Sequence, residues 1–257
     1  MKPTNKPYFF VLGAPDHEMQ EIARVCKEQG IAFGFATLDG STVHAHEAYD
    51  AHGVLALLPI DAHVVFVECR VLGLRCDDVI DHHNPGDPGF GKTPSEFYQG
   101  SSLGQFLSMV GLKPTQRQRV IAACDHCLSA AYQGRCPGVS PEEVQSFREE
   151  TRSRARGLSV SELREQIEQA AQRLKNAPKI PVDGVEVPWL EGPELVEASE
   201  ASARLGLPYM YARKQEDGRI KSGIRSAPSR LVEYWMTHCG LKQVYGDPQR
   251  GFAGGYC

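Results

Sequence analysis

A chain of 257 residues, 41% hydrophobic and 23% charged, can bury one large core or two modest ones, which excludes intrinsic disorder and a disulfide-stapled miniature. A net charge of −4 argues against a broad basic face for long duplexes and leaves room for a local basic pocket, so the expected partner is a small, anionic substrate. The longest apolar runs, 8–12 and 64–67, fall far short of the roughly 20 residues that span a bilayer, and residues 1–7 carry no leader-like apolar stretch; a cytoplasmic protein with no membrane role is expected, with a homodimer compatible with that reading.

In chain order, Tyr8–Leu12 is an apolar run, Glu18–Gln29 has helical spacing and Ile31–Thr37 is a second apolar run, the pattern of a βαβ unit. His63–Glu68, nearly continuous in Val and Phe, and Asp78–Asp81 read as further strands buried on both faces. Helices fit Pro94–Val110 and Pro114–Tyr132. The expected fold class is therefore α/β, a doubly wound parallel sheet whose ligands gather at the carboxyl ends of the strands.

From Pro137 to Lys179 the composition turns charged and glutamine-rich. Ser140-Pro141-Glu142-Glu143 and Ser159-Val160-Ser161-Glu162 resemble capped helix starts, so two exposed connecting helices are expected. Strands at Val185–Leu190, Pro208–Lys214 and Arg219–Arg225, with helices at Gly192–Leu205 and Pro228–Cys239, suggest a second, smaller α/β domain. The expected division is 1–136 for a first α/β domain, 137–180 for a helical linker and 181–257 for the second domain. Eight cysteines in such a chain read as thiols; Cys124, Cys127 and Cys136 form a CxxC-like cluster with no second pair to complete a zinc knuckle.

Asp81-His82-His83 ends a strand and enters the turn-rich Asn84-Pro85-Gly86-Asp87, a place where side chains are presented to a ligand. Alone, the tripeptide reads more readily as a solvated loop than as a site. Three other acidic positions change the weighing: Asp16 with Glu18 after the first strand, Glu68 after the Val64–Val67 run, and Asp125 within an apolar helix. In a doubly wound sheet these positions open on one edge, so the carboxylates and His82 can converge on divalent metal. Taken singly, Asp16 is equally a helix cap and Glu68 a partner of Arg70.

With these residues in place, the sequence resembles the DHH phosphoesterase superfamily, which includes RecJ-type exonucleases, oligoribonuclease-like enzymes and cyclic-dinucleotide phosphodiesterases. The family's first motif corresponds to Pro15-Asp16-His17-Glu18, its second to Glu68, its third to Asp81-His82-His83 and its fourth to Asp125. Ser101-Ser102-Leu103-Gly104-Gln105-Phe106 looks like the small-residue helix that follows the third motif. Lys221–Ser226 and Arg250–Gly255 resemble the arginine-bearing strand and glycine-rich loop of the family's associated C-terminal domain.

The resemblance implies a hydrolase that activates water on two divalent ions, Mn²⁺ with Co²⁺ or Mg²⁺ as alternatives, to cleave a short oligonucleotide, a dinucleotide or a nucleotide bisphosphate, so the implied partner is a small nucleotide or a short single-stranded nucleic acid. It implies metal ligation by Asp16, Glu18, Glu68, His82 and Asp125, with Glu68 bridging. Asp81 would orient the His82 ring, and His83 would touch the substrate phosphate or assist the leaving oxygen. Arg225, Arg250, Gly254 and Gly255 would bind substrate. The chain departs from the pattern in two ways: Leu12-Gly13-Ala14 stands where a further His is common, and Glu18 and Glu68 replace aspartates. His17 or His126 could supply a missing nitrogen. An altered metal pair leaves a second expectation open, a nucleotide-binding sensor with lost or weak turnover.

Overall fold

The computed structural model describes residues 6–192, 195–215 and 218–257. The chain divides into two compact units, residues 1–90 with 96–126 and residues 91–95 with 127–257. Both are α/β, as the sequence predicts.

The first unit is built on β1 (Tyr8–Leu12), α1 (His17–Gln29), β2 (Ala32–Leu38), the short β3 (Ser41–Thr42) and β4 (Gly53–Val54), β5 (His63–Val67) and β6 (Asp78–Ile80). The sheet order is β3-β2-β1-β5-β6, with β4 also pairing β2; β1, β2, β5 and β6 are mutually parallel where they pair. The chain leaves β1 for β2 on one side and returns to β5 on the other. The carboxyl ends of β1 and β5 thus form the crevice where such sheets bind ligands.

One face of β1 and β5 carries Phe9, Val11, Val64 and Phe66 into a core with Val43, Ala48, Ala51 and Val71, supplied by the segments between strands. The other face presents Phe10 and Leu12 toward the helices, where the ring centroids of Phe10 and Phe106 lie 4.8 Å apart. Burying such large side chains is what fixes the helices over the sheet; truncating one costs about 3–5 kcal/mol.

The predicted helix over 94–110 is in fact a single 3-10 turn followed by α2 (Phe97–Gly100) and α3 (Ser102–Met109). Ser101 breaks it by adopting an extended conformation and capping α3, its side chain accepting from the Gly104 amide. α4 (Gln116–Tyr132) is likewise interrupted at Cys127 (φ −154°, ψ 62°), where the two units divide.

In the second unit, α5 (Pro141–Arg156) and α6 (Val160–Asn176) each begin with a complete capping box, from Ser140–Glu143 and Ser159–Glu162. These helices correct the expectation of an exposed connector. Leu163, Ile167, Ala171 and Leu174 of α6 form a core with Ala198 and Ala201, and carboxylates of Glu149, Glu197 and Glu200, all buried, pair with Arg148, Arg152, Arg164 and Arg204. The charged composition is divided: Glu162, Arg164, Glu165, Glu168, Arg173 and Lys175 of α6 face water, whereas Glu149 of α5 is buried and ion-paired.

The remaining elements are β7 (Lys179–Val182), β8 (Val185–Glu191), α7 (Ala198–Leu205), β9 (Tyr209–Lys214), β10 (Ile220–Arg225), α8 (Ser229–His238), β11 (Lys242–Asp247) and β12 (Phe252–Tyr256). They form a sheet in the order β11-β12-β10-β9-β8-β7, packed on α8 through Met210, Ile224, Leu231, Val232 and Trp235. The helix expected from Gly192 starts only at Ala198; positions 193 and 194 lie outside the described residues.

Candidate metal centre

Three strand ends and two helices bring the motif residues together. The crevice is made by close approach of β1 and β5: Gly13 donates its amide to the Val67 carbonyl at 2.9 Å, and a Cβ at Gly13 would stand 2.4 Å from the Glu68 carbonyl oxygen. Glycine is what permits that contact. Glu68 itself adopts a left-handed conformation (φ 49°), with its amide bonded to the Ile80 carbonyl. For a non-glycine residue this is strain held at a strand end, as occurs at functional sites.

Glu18, Glu68, His82 and Asp125 offer ligand atoms that all lie within 4.8 Å of one another, and Glu68, His82 and His83 form a second such group. His82 is fully buried; its Nε2 stands 3.3 Å from Glu68 Oε1 and 3.1 Å from Asp125 Oδ2. Glu18 is 1% exposed. Its Oε1 accepts the Leu103 amide at 2.9 Å at the start of α3, whereas its buried Oε2 has no hydrogen-bond partner among the described residues. Ser102 donates its hydroxyl to Glu68 Oε1 at 2.7 Å. The break at Ser101 has its physical meaning here, because it turns the amino end of α3, with its open amides and positive dipole end, onto both glutamates.

The electrostatics are those of acids crowded without compensation. Burial, then the charge of Asp125, raises the Glu68 carboxyl to about 8, and burial and the same neighbours push Glu18 well above the usual carboxylate range. Asp16 lies at the rim with much of its surface open to water, which weakens what its neighbours do to it; the protein packed round it and Asp125 raise it to about 6. Three carboxylates and an imidazole, one oxygen aimed inward without a partner, are a donor set that suits a divalent cation of the Mn²⁺, Co²⁺ or Mg²⁺ kind.

Several expected roles change in the structure. Asp81 does not orient the His82 ring. Its Oδ1 bonds the amides of His82 and His83 and stands 2.9 Å from His83 Nδ1, while Tyr49 donates its hydroxyl to Oδ2 at 2.8 Å. Burial alone would raise Asp81, but the bonds from His83 and Tyr49 outweigh it and hold the carboxyl below its usual value. The ring that meets His82 Nδ1 is that of His126, 1% exposed, with its own Nδ1 3.2 Å away. His126 is thus the nitrogen that bears on the site; His17 is exposed at the start of α1. Asp16 caps α1, accepting the Met19 amide at 2.8 Å, and belongs to neither donor group. Tyr49 had no signature in the sequence; Ser102, Leu103 and Gln105, whose amide donates to the Asp81 carbonyl at 3.1 Å, lay in the small-residue helix singled out above, but their contacts with the site did not show there.

The second unit holds the remaining expected residues. The glycine-rich run is not a loop: Gly254 and Gly255 lie inside β12, which pairs β10 on one side and β11 on the other. Their backbone is committed to the sheet, so they do not form the anion-cradling nest that the sequence suggested. Arg225 ends β10 with its guanidinium 5.7 Å from the Tyr211 ring centre, and Arg250 stands in the turn before β12, 5.4 Å from the Phe252 ring centre. Cys127 and Cys136 lie with their sulfurs 3.3 Å apart; with Cys124 they belong to neither donor group found among the described residues.

No family profile matches the chain, and no curated protein matches it. Among solved structures the chain is similar to the pGpG-specific phosphodiesterase PggH from Vibrio cholerae, at 12% identity over 97% of this chain and 92% of that one, with a TM-score of 0.37. A superposition that loose carries no weight for the site, which stands on its own residues. Among the described residues, no helix is long and apolar enough to cross a membrane.

Proposed function

We propose that the chain is a metal-dependent phosphoesterase acting on a small nucleotide, with Glu18, Glu68, His82 and Asp125 as ligands of a Mn²⁺-type ion. The observation that supports this reading most is the convergence of those four side chains at the strand ends, with a buried oxygen of Glu18 that has no hydrogen-bond partner among the described residues. A bound divalent ion would acidify a water and draw charge from phosphoryl oxygens. Glu68, His82 and His83 form the second donor group, next to the first through the two shared residues, and Asp16 stands at its rim.

The protein's own groups prepare the rest. His82, fully buried, can only present Nε2 to the carboxylates, because His126 occupies its other nitrogen. Asp81 and Tyr49 fix His83 through its Nδ1, leaving a partly exposed ring whose Nε2 can hold a proton for the leaving oxygen or bond a phosphate. Arg225 and Arg250 remain candidates for an anionic end of the substrate, each paired with an aromatic ring.

One observation favours a second reading, a nucleotide sensor without turnover. The two glutamates each commit an oxygen to the start of α3, a structural task that leaves less freedom for ligation. The two readings separate on metal content and hydrolysis of a short dinucleotide panel, measured on the wild type and on His82→Ala/Asp125→Ala. Metal-dependent product that vanishes in the double variant supports the enzyme; tight nucleotide binding with no product, unchanged by Asp125→Ala, supports the sensor.

A further inference from the structure

The second sheet has two unlike faces. Met210, Ile224 and Ala253 point to α8. Strand alternation then puts Tyr211, Lys221, Gly223, Arg225, Tyr245, Gly254 and Tyr256 on the opposite face. At the β8 and β9 side this face is covered by α6 and α7, with Tyr209 in their core. From β10 to β11 it is aromatic and cationic.

Gly223 and Gly254 are cross-strand partners at the centre of this face. A Cβ on Gly223 would stand 2.7 Å from the Tyr211 hydroxyl, and one on Gly254 would stand 2.6 Å from the Tyr245 hydroxyl. Two tyrosines from flanking strands therefore lie across the glycine pair rather than standing off the sheet. At Gly254 the ring alone demands glycine; at Gly223 the Ala253 carbonyl oxygen, 2.5 Å from the same Cβ, demands it as well.

Cations accompany the rings. Lys221 Nζ is 5.4 Å from the centre of Tyr245 and 5.8 Å from that of Tyr256, and the Arg219 guanidinium is 4.5 Å from Tyr256. Tyr245 keeps 38% of its surface open. Asp247, an acidic residue on this face, spends its oxygens on the amides of Gly91 and Gln249 and is itself buried. An open ring lying along a sheet offers a stacking surface to a planar base, and adjacent Lys and Arg suit the phosphate attached to it. A bare phosphate would have no use for the ring.

We infer that the β10–β12–β11 face is a nucleotide platform: a nucleobase stacks on Tyr245 while Lys221 and Arg219 hold its phosphate. It deepens the phosphoesterase reading, on which its role in substrate choice rests, by making the substrate class one that carries a base.

Binding is tested without metal, so that hydrolysis plays no part. Full-length protein in EDTA is titrated calorimetrically with AMP, with ribose 5-phosphate as the base-free control and with linear diadenylate as the strand-end arm. AMP is expected to bind at least tenfold more tightly than ribose 5-phosphate, and Tyr245→Ala to weaken AMP by about 5- to 100-fold, the range for loss of one base–aromatic stack. Tyr245→Phe should keep most of the affinity, and Lys221→Met should weaken AMP more than adenosine. These last two variants decide the matter if Tyr245→Ala does not fold. Equal affinities for AMP and diadenylate would mark a single-nucleotide platform, and tighter diadenylate a strand-end platform, both within the inference. Ribose 5-phosphate matching AMP, AMP affinity unchanged in folded Tyr245→Ala, or no nucleotide binding at millimolar concentration would overturn it. Failure of the hydrolysis panel with AMP binding intact would instead sink the metal reading and leave the platform standing.

Discussion

His82 Nδ1 lies 3.2 Å from His126 Nδ1, and both rings are buried. One nitrogen of such a pair must donate to the other. If His82 is to offer the Nε2 lone pair to a metal, its Nδ1 carries the proton and His126 accepts. The first prediction follows from that tautomer. His126→Leu should lower Mn²⁺ affinity by roughly 10- to 100-fold, the usual effect of removing a partner that orients a ligand. Competition with a chromogenic chelator measures it, and an affinity equal to wild type would show that His126 does not set the tautomer.

The crowded acids give a second prediction, on pH. Glu68 is raised from 4.5 to about 8 and Asp16 from 3.8 to about 6, so in the metal-free protein each is stabilising while protonated. That contribution is complete below the unfolded values and is lost as pH rises through the folded ones. Metal-free protein should therefore lose melting temperature between about pH 5 and about pH 9, and the rise on adding Mn²⁺ should grow over the same interval as the ion replaces protons. Differential scanning fluorimetry with and without metal checks both slopes; a metal effect that shrinks toward high pH would contradict the electrostatics.

Glu18→Gln tests the same balance at one residue. The amide oxygen can still accept from the Leu103 amide, the size is kept, and the cost of holding or ionising an acid in this crowded, buried place is removed. The variant should melt above wild type in EDTA and gain less from Mn²⁺, a stability gain obtained at the site's expense. Melting curves in the two conditions separate this from a merely structural role, which would lower both.

How much of this was legible in the sequence depends on where each residue sits. Asp81-His82-His83 announces itself because three chemically informative letters stand together at a strand end, and Glu68 does so because an acid closes a run of Val and Phe. Ser102 and the Leu103 amide could not be read that way: a serine and a peptide N–H carry no signature, and only the packing of α3 beside α1 brings them to the glutamates. His126 was visible as a candidate, but its partner, 44 positions away, was not. The run Gly251–Gly255 misleads for a different reason. Loop and strand glycines are the same letter, and what demands glycine at position 254 is the ring of Tyr245 on a neighbouring strand.

That ring supplies the last prediction. β12 is an interior strand, where replacing a glycine by alanine would ordinarily be favourable because the unfolded chain loses freedom. At Gly254 the added methyl would meet the Tyr245 hydroxyl at 2.6 Å and ring carbon Cζ at 2.8 Å, too close for any real Cβ. The tyrosine must then move, taking with it the ring beside Lys221. Gly254→Ala should accordingly destabilise the protein by about 1–3 kcal/mol, the cost of an overpacked contact. Gly254→Ala/Tyr245→Ala, with the obstructing ring gone, should recover most of that loss. Urea unfolding of the two single variants and the double variant gives the coupling directly. Independent, additive losses would mean that the glycine is there for the strand alone, and that the tyrosine does not need it.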